Sequence, residues 1–323
     1  ASAGSIYYRT PNQNSGIGIY ATQYFPGKID EVRVYNRALS AAEIQMLYAL
    51  GDADKINSSV SQPQGTGRLD SGLAGYWKLD ENTGTTASDT STNGNTGTLT
   101  NGPTWTTGQI GSAVNFDGTN DYINAGNSSS VGITGNITIS TWFKADVIPT
   151  GGNTYSGVVA KGYDGTNSGY QFGFQNDAST GNVAQFFWAS WNGSSHGTGY
   201  TYGSNVATGT WYHAVGTHDG STWKLYFDGK LASSNADSIG PRATAKSLLI
   251  GAFDQNGSVH EFDGIIDEVR IYNRALSADE VAQLYRTTVP TSADTSLKGY
   301  WSFNGPDLSS TTAFDRSGAG NNG

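Results

Sequence analysis

The segment that contains Trp191, Asn192 and His196, with the sequence SWNGSSHGTGY, carries side chains suited to sugar binding. An exposed aromatic ring can stack on the apolar face of a pyranose, while amide and imidazole groups bind its hydroxyls. We predict a ligand-binding set made of these three residues together with Trp188 and Tyr200. The alternative is that the aromatic residues pack in the interior, as alternate aromatic residues on sandwich strands usually do.

Catalytic patterns are weaker than this binding pattern. His213 lies in the strand-like segment WYHAV, where a buried structural histidine is the favoured interpretation. Glu261 and Asp263 stand two apart and could supply the pair of carboxyl groups that glycoside hydrolysis needs. A second copy of this segment near the N-terminus reads QYFPG and holds neither of them. Because no nucleophile elbow, zinc-protease motif or phosphate loop occurs either, we predict that the chain is not an enzyme.

Composition narrows the possible partners. The net charge is −9 and Lys and Arg do not cluster, so nucleic-acid binding, which depends on neutralising phosphates, is not expected. No apolar run is long enough for a membrane span, so membrane insertion is not expected. The absence of cysteine excludes disulfides and thiolate metal sites. An acidic chain rich in Asn, Thr and Gly is typical of exported proteins, and we expect an extracellular or cell-surface location.

The elements that must position these residues are mostly short strands. Strand-like runs recur between turn residues, and residues 137–145 (ITISTWFKA) carry apolar side chains on both faces. Asp-Gly pairs at 219–220 and 228–229 favour hairpin turns. One short helix is predicted, with Ser277 as its N-cap and Glu280 completing a capping box. The predicted core includes Trp142, Trp211, Trp223, Phe172 and Phe174.

An internal repeat explains the organisation of the chain. Residues 29–48 and 266–285 agree at 15 of 20 positions, at a constant offset of 237. Residues 75–97 likewise resemble residues 299–323. Only residues from about 72 to 286 therefore hold a start, a middle and an end, and the chain reads as part of a tandem array with a repeat of roughly 230 residues.

We divide the chain into five parts on this basis. Residues 1–48 are the C-terminal part of a preceding repeat, 49–71 a linker, 72–286 the complete domain, 287–297 a second linker, and 298–323 the N-terminal part of a following repeat. The linkers are rich in Ser, Thr, Gly and Asp, with scattered Pro, and lack periodic apolar residues.

Five motifs occur in a fixed order across residues 72–286: GYWKLDE, AVNFDGTNDYI, ITISTWFKA, TWYHAVGTHDGSTWKLYFDGK and FDGIIDEVRIYNRALSADEVAQLY. In that combination they resemble the laminin-G-like, concanavalin A-like lectin (jelly-roll) family, as found in tandem repeats of bacterial surface proteins. The resemblance implies an all-β fold, an antiparallel two-sheet jelly-roll sandwich with one short C-terminal helix per repeat and partial repeats at both ends. It says little about function, because jelly rolls host lectins, adhesion modules, spacers and hydrolases.

The resemblance also implies a structural calcium ion. In related calcium-stabilised jelly rolls an Asp of the last strand binds the ion, and the corresponding residue here is Asp267. Asp80 and Asp117 would be its nearby suppliers, and Asp30 is its counterpart in the N-terminal copy. Calcium prefers several hard oxygen ligands, which this acidic chain offers. The alternative is that Asp267 makes a local hydrogen bond or pairs with Arg270.

Two functions remain open on the sequence. The first is a non-catalytic extracellular repeat that serves adhesion, or that has a structural role in a fibre or surface array. The second is a carbohydrate-binding module of a larger polysaccharide-active protein, with glycans as its partners. Because half a sandwich cannot bury its core alone, we also expect neighbouring chains to complete the two ends through self-association.

Overall fold

The structure of the chain is a computed structural model that describes residues 17, 19–20, 23–27, 29, 32–39, 44, 69–149, 154–177, 182–201, 206–288 and 297–301. The chain forms two compact units, Ser59–Pro290 and a second unit made of Ala1–Ser58 with Thr291–Gly323. The repeat pattern assigned the two ends of the chain to different repeats, whereas here they share one unit.

Strands make up most of the described chain. In order they are β1 (Ile19–Tyr20), β2 (Gln23–Tyr24), β3 (Val32–Tyr35), β4 (Leu73–Trp77), β5 (Thr86–Ala87), β6 (Gly97–Thr100), β7 (Thr104–Thr107), β8 (Ser112–Asp117), β9 (Tyr122–Asn124), β10 (Ile137–Ala145), β11 (Thr154–Tyr163), β12 (Ser168–Asp177), β13 (Asn182–Trp191), β14 (Ser195–Thr201), β15 (Trp211–His218), β16 (Thr222–Phe227), β17 (Lys230–Ala236), β18 (Leu248–Ile250), β19 (Ala252–Gln255), β20 (Ser258–Glu261), β21 (Asp263–Tyr272) and β22 (Leu297–Trp301). The helix α1 (Ala278–Thr288) follows β21.

Two sheets form the unit Ser59–Pro290. The eight-stranded sheet has the order β17-β16-β15-β10-β21-β8-β7, and β4 also pairs with β21. The ten-stranded sheet has the order β14-β13-β12-β11-β18-β9-β6-β5, with β19 and β20 joined to it at β11. The strand pairs are antiparallel except for the contact between β19 and β11, which is parallel.

The two sheets pack face to face over one apolar core. The ring of Phe143 in β10 lies 5.5 Å from that of Phe174 in β12 and 5.2 Å from that of Phe186 in β13, centroid to centroid. Trp188 and Trp223 meet across the same interface, 5.0 Å apart. Each such fully buried side chain stabilises the fold by roughly 1.5–3 kcal/mol relative to an exposed one. The predicted all-β, antiparallel two-sheet sandwich is confirmed.

The helix covers the opposite face of the eight-stranded sheet, which explains why β10 is apolar on both faces. Trp142 of β10 donates its indole N–H to Thr288 Oγ1 (2.9 Å), and its ring stacks on Tyr285. The predicted capping box is also present. Glu280 N donates to Ser277 Oγ, and Ser277 N donates to the Glu280 carboxylate in return.

Four of the five predicted core residues are buried, namely Trp142, Trp223, Phe172 and Phe174. Trp211 is only partly buried, because it begins β15 at the margin of the sheet, where the Lys144 ammonium lies 5.7 Å from its ring centroid. The helix that the structure describes is neither long enough nor apolar enough to cross a membrane.

The second unit contains two small described sheets, β1 with β2 and β3 with β22. Asp30, the predicted counterpart of Asp267, lies outside the described residues. Most of the two predicted linkers lies outside them as well.

Candidate functional site

Strand register identifies the side chains on the outer face of the ten-stranded sheet. Directly opposed residues of antiparallel strands share a face, and successive residues alternate between faces. Phe174 of β12 lies opposite Phe186 of β13, and both contact the core residue Phe143. The residues that alternate with them therefore lie on the outer face: Gln171, Gly173 and Gln175 of β12, and Gln185, Phe187, Ala189 and Trp191 of β13.

Three glutamine side chains lie on this outer face. Gln175 lies opposite Gln185 on one side and opposite Tyr155 of β11 on the other. These three residues form a line across three neighbouring strands, a span of about 10 Å. Gln171 lies four residues before Gln175 on the same strand, and all four side chains are partly exposed.

Glycines occupy outer-face positions between these side chains. Gly157 of β11 lies opposite Gly173, and Gly199 of β14 lies opposite Phe187. A Cβ atom at Gly173 would lie 2.3 Å from the carbonyl oxygen of Ser156, so that a larger residue does not fit without a shift of the backbone.

The β19–β20 hairpin lies against the outer face of β11. A Cβ atom at Gly157 would lie 2.4 Å from the carbonyl carbon of Ala252, and one at Gly162 would lie 2.4 Å from the carbonyl oxygen of Asp254. Both glycines are on the outer face, so the backbone of β19 passes directly above them. The hairpin thus forms a wall along one side of the glutamine residues.

The β19–β20 hairpin contributes aromatic rings to the outer face of the sheet. The ring of His260 lies 5.7 Å from that of Tyr155, and Phe253 and Phe187 each lie 6.2 Å from Tyr155. Phe253 and Phe187 are buried, whereas Tyr155 and His260 are partly exposed. His260 Nε2 donates to Gln255 Oε1 (3.0 Å), and burial lowers the pKa of His260, so its ring is neutral near pH 7.

We call the residues Tyr155, Gln171, Gln175, Gln185, Trp191 and His260 the outer-face set. The three amides offer both hydrogen-bond donors and acceptors, and the three aromatic residues offer partly exposed ring surface. The set combines the two kinds of group that bind a polyhydroxylated ligand with an apolar face. The predicted set contained Trp191 alone of these six residues.

The structure separates Trp191 from His196. Trp191 is 39% exposed and lies on the outer face at the end of β13. His196 lies opposite Ser190, which alternates with Trp191, and so belongs to the inward face of the same hairpin. The two side chains therefore do not converge on one ligand, contrary to the predicted set.

His196 instead ties the hairpin to the end of β17. Its Nδ1 lies 2.8 Å from Asp237 Oδ2, and its Nε2 lies 2.8 Å from the Asn192 amide oxygen. Burial raises the pKa of Asp237, but hydrogen bonds from Ile239 N and from His196 outweigh it and hold that pKa below its usual value. Asn192 and His196 thus have structural partners within the chain.

Trp188 cannot contact a ligand on the surface, and its assignment to the predicted set is wrong. The side chain is fully buried and donates its indole N–H to the carbonyl oxygen of Thr217 (3.1 Å). It lies three residues before Trp191, an odd spacing that puts the two rings on opposite faces of one strand. The side chain of Tyr200 lies outside what the structure describes.

Asp267 lies at a break in the pairing along one edge of β21. Residues 263–266 pair with β8 and residues 269–272 pair with β4, so Asp267 falls between the two partner strands. Its Oδ2 accepts from Ile110 N (2.9 Å), while its Oδ1 is buried without a hydrogen-bond partner. Burial, with the charges of Glu268 and Asp80 adding to it, raises the pKa of Asp267 to about 8.

Asp80 lies on the other side of the same loop, residues 108–112. Its Oδ1 accepts from Ser112 N (2.9 Å), close to Gly111, and its charge acts on Asp267. A buried carboxylate oxygen without a partner, beside a second carboxylate, fits a divalent cation. No group of three or more His, Asp or Glu side chains suited to a metal occurs among the described residues. Main-chain carbonyls or water would therefore supply most of the six to eight oxygens that calcium takes.

Asp117 lies elsewhere. It is opposite Asp263 at the far end of β8, five residues from Ser112 and so on the order of 15 Å from the Asp80–Asp267 loop. Its backbone N–H donates to Asp121 Oδ2 (3.3 Å). The structure brings Asp80 and Asp267 together and does not bring Asp117 to them.

Solved structures of similar fold give the following comparisons. Domain 4 of AbnA, a GH43 extracellular arabinanase from Geobacillus stearothermophilus solved in complex with arabinotriose, is 23% identical, with a TM-score of 0.47, over 66% of this chain and 98% of that one. The binding domain of Paraclostridial Mosquitocidal Protein 1 is 15% identical, with a TM-score of 0.53, over 68% of this chain. The binding domain of Botulinum Neurotoxin DC, in complex with SialylT, is 14% identical, with a TM-score of 0.51, over 69% of this chain. The match spans 53% of each of the two toxin chains, about half of their length.

A family model described as the concanavalin A-like lectin/glucanases superfamily matches residues 5–45 and 117–282, together more than half of the chain. The two-sheet sandwich agrees with this match, and the chain belongs to this superfamily. No match was found among curated protein sequences.

Proposed function

We propose that the complete domain is a non-catalytic, extracellular glycan-binding module that binds its ligand on the outer face of the ten-stranded sheet. The observation that carries the proposal is the line of Tyr155, Gln175 and Gln185 across three strands, beside the partly exposed ring of His260. Sugar hydroxyls would exchange hydrogen bonds with the amides, and the C–H face of a sugar ring would lie on Tyr155.

The proposed module has no catalytic activity. Glycoside hydrolysis needs two carboxyl groups that flank the scissile bond. Over residues 171–175 and 185–191, the described outer-face positions hold amides, glycine, alanine and aromatic residues. Glu261 and Asp263 lie at the ends of two successive strands, β20 and β21, and burial raises the pKa of each.

The comparisons support the fold of this module and name no sugar for it. The neurotoxin binding domain, solved with SialylT, shares the fold at 14% identity. A similarity at this level says nothing about whether the two proteins bind the same ligand. The family description joins lectins and glucanases, and it is the amide and aromatic composition of the outer face that favours binding over cleavage.

A glycan array followed by affinity electrophoresis in soluble polysaccharides tests the proposal. We expect the full chain to bind at least one polysaccharide, and Gln175→Ala and Gln185→Ala each to weaken that binding about three- to tenfold, the cost of one lost hydrogen bond. Gln283→Ala is the matched control, because Gln283 is a partly exposed glutamine on α1, beyond the other sheet. Binding that is unchanged in both outer-face variants contradicts the proposed site, and an absence of binding to any glycan contradicts the function.

A second candidate function is a structural or adhesive repeat. The observation that favours it is the second pair of first and last strands, β22 with β3, which repeats the pairing of β4 with β21. This role does not require a ligand on the outer face. Full retention of cell-surface adhesion by Gln175→Ala together with Gln185→Ala would favour it over glycan binding.

Calcium at the Asp80–Asp267 loop would serve either function as a structural ion. Its support is the buried, unpartnered Asp267 Oδ1 and the neighbouring Asp80 carboxylate. When bound, the ion would neutralise the Asp267 carboxylate, whose charged form burial disfavours, and the neighbouring Asp80 carboxylate would share in holding it.

A further inference from the structure

The strands that carry most of the outer-face set are almost free of charged residues. Residues 165–218, which include β12, β13 and β14, hold a single residue of the Asp, Glu, Lys and Arg types, namely Asp177. At the 14% charged fraction of the whole chain, a segment of that length would hold about seven. Charged residues are normally found on solvent-facing surfaces, and here amide and hydroxyl side chains occupy such positions.

Two lysines next to this part of the sheet already have partners. Lys161 of β11 is 1% exposed, and its ammonium donates to the side-chain oxygen of Asn127 and to the carbonyl oxygen of Lys246. Lys246 Nζ in turn forms an ion pair with Asp254 Oδ2 (2.9 Å). Both ammonium groups are therefore engaged within the domain, and Lys161 is too deeply buried to contact a ligand on the outer face.

Arg242 lies at the opposite end of β12 from Gln175. Its backbone N–H donates to the carbonyl oxygen of Ser168, the first residue of β12 (3.3 Å). Seven residues separate Ser168 from Gln175, a distance on the order of 20 Å along a strand. At the Gln175 end of the strand the charged residue is acidic, because Asp177 is the last residue of β12.

We propose that the ligand of the outer-face set is a neutral glycan, built from sugars without carboxylate, sulfate or phosphate groups; this inference rests on the function proposed above. An amide both donates and accepts hydrogen bonds, so it can pair with an uncharged hydroxyl group in either direction. An anionic group moved from water onto this face would need a cationic partner to offset its lost hydration. The net charge of −9 would instead repel it.

Affinity electrophoresis of the full chain in two groups of polysaccharides tests the charge preference. The neutral group is hydroxyethyl cellulose, galactomannan, mixed-linkage β-glucan and glycogen, and the acidic group is polygalacturonate, alginate and hyaluronate. We expect binding within the neutral group. Oxidation of the primary hydroxyl groups of the bound polymer to carboxylates should weaken binding about tenfold or more. Methyl esterification of those carboxylates removes the charge and should restore most of the affinity.

Ionic strength gives an independent measurement. Salt screens the attraction between charges but has little effect on hydrogen bonds between uncharged groups. The dissociation constant for the neutral polymer should therefore change by less than about twofold between about 0.05 M and about 0.5 M sodium chloride.

A charge placed on the outer face should change this preference. Gln171→Arg adds a guanidinium to the outer-face set and should give the chain an affinity for the oxidised polymer that weakens as salt is added. Gln283→Arg is the matched control, because Gln283 lies on α1 beyond the other sheet, and it should not gain this affinity.

The outcomes separate this inference from the function on which it rests. Tighter binding of the unmodified chain to the acidic group than to the neutral group would overturn the inference and leave glycan binding intact. The same holds for an oxidised polymer that binds as tightly as its parent. Binding to no polymer of either group would overturn both the inference and the proposed function.

Discussion

The guanidinium of Arg270 lies over the ring of Tyr76, with Cζ 4.1 Å from the ring centroid. The Tyr76 hydroxyl accepts a hydrogen bond from Arg270 Nη2 (2.6 Å) and donates one to Glu268 Oε2 (2.8 Å). Burial raises the pKa of Tyr76, so its hydroxyl remains a donor at any ordinary pH. Because Tyr76 is on β4 and the other two residues are on β21, this polar group joins the first strand of the domain to the last.

Tyr76→Phe should therefore lower the free energy of unfolding of the domain by about 1–3 kcal/mol. The variant keeps the ring under Arg270 and removes only the hydroxyl that joins the Arg270 guanidinium to the Glu268 carboxyl group. Chemical denaturation followed by tryptophan fluorescence measures the change. Tyr163→Phe is the control, since the Tyr163 hydroxyl donates to the Gly165 carbonyl at the surface, and it should change stability by less than about 0.5 kcal/mol. Equal losses in the two variants would contradict the role of the polar group.

His213 should make the domain sensitive to acid. Burial, with the charge of Arg270 adding to it, lowers the pKa of His213 to about 3, whereas an unfolded histidine titrates near 6.5. Below about pH 6.5 the unfolded chain binds a proton that the folded chain does not, so stability is lost as the pH falls from there towards 3. The contribution of this residue between about pH 7 and about pH 5 is about 2 kcal/mol.

The variant His213→Gln isolates this contribution. Glutamine retains a polar group near Ser140 Oγ, which lies 2.9 Å from His213 Nε2, but it does not titrate. The variant should be less stable at neutral pH, because the ring contact with Trp142 is lost, yet flatter in its pH dependence. Urea denaturation of both proteins at several pH values measures the difference. Parallel pH profiles would show that His213 is not the acid-sensitive group.

Truncation of two tryptophans that lie three residues apart should affect different properties, stability for one and glycan binding for the other. Trp188→Ala removes a fully buried ring and should destabilise the domain by about 3–5 kcal/mol. Trp191→Ala removes a side chain that is 39% exposed and should leave stability nearly unchanged while weakening glycan binding. Thermal unfolding and affinity electrophoresis measure the two effects separately. A large loss of stability in Trp191→Ala would mean that its ring packs within the domain and is not a ligand contact.

Calcium should raise the melting temperature of the chain, and a chelator should reverse the effect. Asp267→Asn should abolish the response, because it removes the charge at the buried end of the site, and Asp80→Asn should weaken it. Asp117→Asn is the control, since Asp117 lies at the other end of β8, and it should retain the full response. Differential scanning calorimetry with and without chelator measures each shift. A chelator without effect on the unmodified chain would contradict the site.

The fold was predictable from the sequence because its local patterns agree. The capping box at Ser277 and Glu280 is present as predicted, and Asp228-Gly229 adopts the positive φ values (48° and 75°) of the predicted hairpin turn between β16 and β17. The apolar residues on both faces of β10 indicated a strand with neighbours on both sides, which the opposite sheet and α1 provide.

The outer-face set was less predictable, for a physical reason. Strand register determines which side chains share a face, and the packing of other elements determines which face is covered. The sequence of a single strand specifies neither of these. His260 reaches Tyr155 only because the β19–β20 hairpin passes over Gly157, a long-range contact without a local pattern. The three-residue separation of Trp188 and Trp191 did hold a usable pattern, since an odd separation on one strand puts two residues on opposite faces.

The pairing of β4 with β21 also bears on how the domain would respond to mechanical force. Leu73, at the start of β4, lies opposite Tyr272, at the end of β21. A pull on the two ends of the domain would therefore load the hydrogen bonds of this pair one after another, in an unzipping geometry, rather than all at once in shear. Such a domain would open at low force, starting from its first strand.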